Sequence, residues 1–300
     1  MSNEHLSASV AQRAVGWRDY LELTKPRVVL LMLLTVVIGM LVAEPGLPGM
    51  AVMFYGNLGI ALLSASAAVI NHVVDHEVDA RMARTRRRPV ATGRVGTPDA
   101  LGFSLTLGLG GMLVLIWKVN MLTAWLTLAS LVGYAVIYTL FLKRATPQNI
   151  VIGGLAGAMP PLLGWTAVTG TVEANALLLV LIIFAWTPPH FWALAIHRKE
   201  EYAKTDIPML PVTHGNRFTE LHILLYTLML IAASLMPVAT GMSGIIYLVG
   251  ATLLGLRFLQ YAVRLLRGDD RRVALATFKY SITYLMLLFV VLLVDHFIRF

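Results

Sequence analysis

Cysteine is absent from this 300-residue chain. That excludes disulfides, thiolate-held metals and Cys-ligated iron–sulfur clusters. Charge is scarce as well: Asp, Glu, Lys and Arg make up 13% of the residues, where soluble domains carry about 25%. With 58% apolar residues and a mean hydropathy of +0.75, the composition is that of a membrane protein. No secretory signal is expected either. The first 27 residues are mostly polar, and the first apolar run follows Lys25-Pro26-Arg27. No internal repeat, low-complexity stretch or linker divides the chain. The net charge of +8 is not read as a nucleic-acid footprint, because in a membrane chain it reflects loops biased to one side.

What the chain has in abundance is apolar runs. A helical span needs about 17 to 25 residues. Nine candidates lie near 28–43, 51–70, 101–117, 121–142, 150–168, 176–196, 221–240, 244–262 and 276–298. Backbone polar groups in lipid must be satisfied internally, so helices are the expected form. The fold class expected is an all-α polytopic membrane protein of about nine transmembrane helices. Residues 1–22 are expected to be a flexible cytoplasmic tail, and residues 23–300 a single transmembrane domain. Placing the N-terminus in the cytoplasm puts 20 of the 24 Lys and Arg on that side. Only Lys118 and Arg299 fall opposite, with Arg257 and Lys279 inside helices. That asymmetry fits the positive-inside rule.

The stretch "NHVVDHEVDARMARTRRRP", residues 71–89, ends the second apolar run with three acids and five arginines. Asn71, Asp75 and Asp79 are spaced four apart, so a continued helix carries them along one face. Hard oxygen donors stacked this way suit Mg²⁺, which bridges one or two carboxylates to substrate phosphates. The neighbouring arginines suit phosphate oxygens. The same spacing equally fits a solvated helix end whose acids pair with nearby arginines. His72 and His76 are also four apart, but no matching third ligand for a metal or haem stands beside them.

A second cluster, "WTPPHFWALAIHRKEEYAKTDIPMLPV", begins at Trp186. His190, His197 and Glu201 lie near one helical face, and ionisable groups at such depth by default suggest function. Pro188-Pro189 is expected to kink or interrupt the helix. For Trp186, Phe191 and Trp192, packing is the default, with lining a cavity for a flat ligand as the functional reading. Between the clusters, Lys143 and Arg144 close the fourth span. Gly153, Gly154 and Gly157 favour close helix packing.

Taken in order, Asn71-xxx-Asp75-xxx-Asp79 with "RMARTRRRP", then "YTLFLKRATPQNIVIGG", then "HRKEEYAKTDIPMLPV" resemble the UbiA superfamily of intramembrane prenyltransferases, and within it the haem-farnesylating branch. The resemblance runs from "LTKPRV" near residue 23 to the last helix. It implies nine helices around a central cavity with two polar clusters at its cytoplasmic mouth, in the bacterial inner membrane. It also implies Mg²⁺-dependent ionisation of farnesyl diphosphate, attack by a haem B vinyl group, and capture of the resulting cation by water. Under it, Asn71, Asp75, Asp79 and Glu201 are metal candidates. Arg81, Arg84, Arg88, Lys143 and Arg144 would hold the diphosphate. Asp75, Asp79, His190 and His197 are catalytic candidates, with His190, His197 and Trp192 toward haem. The product would pass to a haem A synthase or to oxidase assembly. One departure is clear: where many members carry a second aspartate-rich motif, this chain has His190, His197 and Glu201.

Three other readings compete. Transfer to an aromatic quinone precursor is disfavoured by the histidine-bearing segment. A secondary transporter is disfavoured by the lack of related halves and by charges gathered at one surface. A haem carrier leaves the acid-plus-arginine motif unexplained.

Overall fold

The computed structural model describes residues 15–81, 85–142, 145–204, 208–268 and 271–299. These residues form helices and connecting turns, with no strand among them. A short helix α1, Trp17–Leu23, leads into α2, Pro26–Leu41. Helix α3, Met50–Val74, is followed by the one-and-a-half-turn α4, His76–Arg81. Next come α5, Thr97–Lys118, and α6, Met121–Val132. Helix α6 runs directly into α7, Gly133–Leu142, wound as a π-helix. Helices α8, Asn149–Ala158, and α9, Pro160–Thr169, form one broken rod. Helix α10, Ala174–His197, ends in two short helices, α11, Lys199–Tyr202, and α12, Leu210–Thr213. Three long helices close the chain: α13, Gly215–Ala239, α14, Ile245–Gly268, and α15, Arg271–Arg299.

The protein is an integral membrane protein, and the expected spans all fall on helices. By length and composition, however, seven helices among the described residues can cross a bilayer, or up to eight, rather than nine. Two segments account for the difference. Helix α2 has 16 residues and reaches span length only together with α1, from which it is bent by 50°. Helix α6 stops at Val132 and continues with π geometry.

The expected tail begins its structure earlier than residue 23. Asp19 on α1 is buried and pairs with Arg94 at 2.5 Å, Tyr20 packs edge-on against Phe103, and Leu23 is fully buried. The break after α1 has a local cause. Lys25 adopts a left-handed backbone (φ 49°, ψ 58°), the one non-glycine among the described residues with positive φ. Pro26 blocks the right-handed helical region for its predecessor and starts α2 with a pre-set φ. Holding a lysine there costs on the order of 1–3 kcal/mol, a strain the surrounding contacts must offset.

Helix α10 is the interior helix. Two thirds of its most apolar stretch is buried, and it touches α8, α9, α12, α13 and α15. The chain stays helical through Pro188-Pro189 instead of being interrupted there. Neighbouring helices on several sides hold the backbone in place where the prolines remove hydrogen bonds. Elsewhere, glycine sets the approach of α2 to α9. A Cβ at Gly39 would strike the carbonyl of Pro161, and one at Gly164 would strike that of Val36. Lipid gives little hydrophobic drive between helices, so such close backbone contact is what holds them. Gly39→Val is therefore expected to destabilise the fold by about 1–3 kcal/mol, read as a lowered midpoint of thermal unfolding in detergent. Gly157→Ala, at a position with open space, should leave that midpoint near the wild-type value.

Candidate functional site

The acid face predicted from spacing forms as expected. Asp75 caps α3, yet the amide of Asp79 still donates to the carbonyl of Asp75 at 2.8 Å, so α4 continues the register. Asn71, Asp75 and Asp79 are all at most 5% exposed. Their contacts form a chain. The Lys25 ammonium donates to Asn71 Oδ1 at 2.5 Å, and Asn71 Nδ2 donates to Asp75 Oδ2 at 2.9 Å. Asp79 accepts from Arg88 at 2.6 Å, and the Thr85 hydroxyl donates to the Asp79 carbonyl at 3.0 Å. Arg94 fastens this turn by donating to the Arg87 carbonyl at 2.7 Å while it pairs with Asp19. The cation-bearing loop and α1 are thereby tied together.

Across from this face stands α7. Asp75 is close enough to the phenols of Tyr134 and Tyr138 to act on them electrostatically. The two rings stack with centroids 5.7 Å apart. Gly153 admits the Tyr138 ring, since a Cβ there would overlap it, and Gly154 sits against Thr187. Both glycines thus serve packing. A π-helix beside buried acids is characteristic of functional segments.

The second cluster does not join the first as a metal site. Among the described residues, no three His, Cys, Asp or Glu side chains converge to hold a metal ion. Glu201 is exposed, 3.9 Å from Arg198, and so is not gathered with Asp75 and Asp79. His190 and His197 do share a face, and that face meets α15. His190 Nδ1 lies 2.6 Å from the Ser281 hydroxyl, and His197 Nδ1 lies 3.3 Å from the Arg271 carbonyl. Trp186 stacks on His190 at 4.2 Å, and Phe278 lies tilted against the same ring at 4.6 Å. Trp186 also donates to the Ser281 carbonyl at 2.7 Å. Trp192 is fully buried, with Tyr226 and His222 edge-on to it, and belongs to the core between α10 and α13 rather than to a cavity wall. Arg271 pairs with Glu200 at 2.8 Å and holds that carboxyl below its usual range.

The two clusters meet through apolar contact. Val78 of α4 packs with Ala195 of α10 and Met209, flanked by Tyr202 and Ile150. Arg81 lies exposed at the end of α4. Arg84, Lys143 and Arg144 lie outside the described residues. The sequence reading missed Lys25 as a partner of Asn71, and Tyr134 and Tyr138 as neighbours of Asp75. For Lys25 a signal existed: a lysine before proline, at the mouth of the first apolar run.

Residues 32–292 match the UbiA prenyltransferase family. The chain belongs to that family. Among curated relatives, protoheme IX farnesyltransferase of Marinobacter nauticus is 80% identical over 284 residues, 95% of this chain and 94% of that protein. The protein of the same name from Hahella chejuensis is 68% identical over 95% of both chains. A solved digeranylgeranylglyceryl phosphate synthase shares the fold, with a TM-score of 0.81 at 18% identity over 93% of this chain and 98% of its own. So does a UbiA homologue from Archaeoglobus fulgidus bound to GPP and Mg²⁺, with a TM-score of 0.63 at 15% identity over 91% of this chain and 99% of its own.

The donor set on α3 and α4 fits Mg²⁺ in one particular way. Two carboxylates and an amide oxygen are too few for a protein-only cage, but they match an ion that takes its remaining ligands from water and phosphates. The Asp79–Arg88 pair gives a stability prediction. Arg88→Ala leaves a buried carboxylate without this cation and is expected to cost about 2 kcal/mol. Adding Asp79→Asn should recover part of that loss. A double-mutant cycle by thermal unfolding checks it, and an Arg88→Ala protein as stable as wild type would show that the pair contributes nothing.

Proposed function

We propose that this chain transfers the farnesyl group of farnesyl diphosphate to a vinyl group of haem B, with addition of water, giving haem O and diphosphate. The observation that carries this reading is the 80% identity to a protoheme IX farnesyltransferase along 95% of the chain. The buried face of Asn71, Asp75 and Asp79 supports it, because oxygen donors beside cations are what a prenyl diphosphate requires. The reaction would take place in the bacterial cytoplasmic membrane, with the N-terminus and the mouth of the site toward the cytoplasm.

Asn71, Asp75 and Asp79 would hold Mg²⁺, and a homologue of the same fold with GPP and Mg²⁺ bound supports the choice of ion. When bound, Mg²⁺ offsets the negative charge that gathers on the departing diphosphate. Arg88, with Arg81, Arg84, Lys143 and Arg144, would hold the diphosphate oxygens and stabilise them as the carbon–oxygen bond breaks. Burial of the acid face keeps bulk water from the allylic cation until it meets the vinyl carbon. His190, or the half-buried His197, would serve the acceptor side, as a haem contact or as the group that takes the proton from the captured water. The product is apolar enough to remain in the bilayer, which favours handover there to a haem A synthase or to oxidase assembly.

Turnover of the purified full chain with haem B, farnesyl diphosphate and Mg²⁺, with haems analysed by mass, tests the reading. The expected product is haem carrying one farnesyl group and one water, and chelation of the metal should abolish it. Asp75→Asn should lower turnover by about 100-fold or more. Unchanged turnover in that variant would remove Asp75 from the site. Prenylation of an aromatic acid but not of haem would overturn the acceptor.

A further inference from the structure

The acid face includes one residue that the reading above leaves unused. His72 follows Asn71 and lies seven residues before Asp79, so it shares the side of the helix that carries Asp75 and Asp79. Its side chain is 3% exposed, and neither ring nitrogen has a hydrogen-bond partner among the described residues. His76, one turn on, makes the contrast plain. It is exposed, and its Nδ1 lies 2.8 Å from the Val73 carbonyl. Buried imidazoles normally find a partner, and one that has none among the described residues is suited to a partner that arrives with a ligand.

The charges around His72 say what that ligand is. Lys25 and Arg88 are close enough to act on its ring electrostatically. Both are anchored on the acid face, Lys25 through Asn71 and Arg88 through Asp79. Lys25 is presented there by a left-handed backbone that a lysine adopts only under constraint. A buried imidazole with no hydrogen-bond partner among the described residues, on a helix end where Lys25 and Arg88 are both anchored, is a place for an anion with several oxygen acceptors. His72 itself is not read as a metal ligand, since no group of three His, Cys, Asp or Glu side chains that could hold a metal occurs here among the described residues.

We propose that Lys25 and His72 form the inner wall of the diphosphate subsite. The His72 ring donates a hydrogen bond to a diphosphate oxygen, and Lys25 faces the same group as a point charge. This rests on the prenyl diphosphate reading above and adds two residues to it. The assignment explains why a helix end built around carboxylates also carries a buried imidazole with no hydrogen-bond partner among the described residues. It also explains why the α1–α2 break occurs at a lysine rather than at a glycine, which would meet the backbone geometry without strain.

The test is binding of farnesyl thiodiphosphate, a poorly ionising analogue, to the purified full chain with Mg²⁺ and without haem, together with thermal unfolding of each protein. His72→Leu and Lys25→Met should each bind about 10- to 100-fold more weakly, the usual loss for a hydrogen bond to a charged group. His72→Gln, which restores an N–H donor, should recover most of the affinity. In turnover, the same variants should raise KM for farnesyl diphosphate while leaving KM for haem near wild type. A folded His72→Leu protein with wild-type affinity overturns the His72 assignment. If His72→Leu fails to fold, His72→Phe, which keeps a flat ring without the donor, takes its place. If both fail to fold, Lys25→Met decides, and its retention of wild-type affinity overturns the proposal. If the wild-type chain itself binds no prenyl diphosphate analogue, the underlying functional reading falls and this inference falls with it.

Discussion

Two carboxylates buried at the end of an apolar helix are the costly element around which the cytoplasmic half of this molecule is organised. Burying the Asp75 and Asp79 side chains in a low-dielectric setting is costly unless cations and donors are brought to them. The chain does this from outside α3 and α4. Lys25 arrives from the α1–α2 break and acts through Asn71, and Arg88 arrives from the turn that follows α4. Neither position is left to a freely moving side chain. Asp19 and the Arg87 carbonyl both hold Arg94, so that α1 and the arginine-bearing turn are fixed to one another. The strain at Lys25 and the order of residues 17–23, which sequence alone presented as a tail, follow from the same requirement.

A face held this way is polarised rather than neutral. Oxygen acceptors line one helix, cations stand on its flank, and stacked phenols close the opposite side. A bare divalent cation would be underbound by so few carboxylates. A bare polyanion would meet the carboxylates and be repelled. An ion and a polyanion together satisfy both halves, which is the electrostatic description of a metal–diphosphate complex. The same polarity is at odds with an ion-transport reading, in which charges are expected near the bilayer midplane rather than at one surface.

The sequence made the acid face legible because one short-range rule, four residues per repeat on a helix, decides it. The helical spans were legible because length and hydropathy depend on the chain alone. What remained hidden depends on contacts between distant segments. Nothing local in "LTKPRV" states that Lys25 reaches Asn71, and nothing in "GYAVIYTLFL" states that the helix widens to π geometry. Of the two outcomes expected at Pro188-Pro189, a kink or an interruption, the interruption does not occur: the pair would break an isolated helix, whereas the packed neighbours of α10 keep it continuous. Glu201 misled by periodicity, since α10 ends at His197 and the face does not carry over into α11.

The histidines of α10 carry a different share of the work from the acids of α3. His190 is held against two aromatic rings and bonded to Ser281, while His197 and Glu200 meet the first residue of α15. These contacts form a seam that sets α15 against α10. Val78, Ala195 and Met209 then carry that pair onto α4. The acid face and the histidine seam are therefore not two halves of one metal site, as in a chain with two aspartate-rich motifs. One is a polar cluster of acids and cations at the end of α3, and the other an aromatic, largely apolar cluster where α10 meets α15. A reaction that joins a diphosphate-bearing chain to a flat hydrophobic acceptor needs that asymmetry, because charge must be stabilised where the bond breaks and kept away from where the new carbon–carbon bond forms.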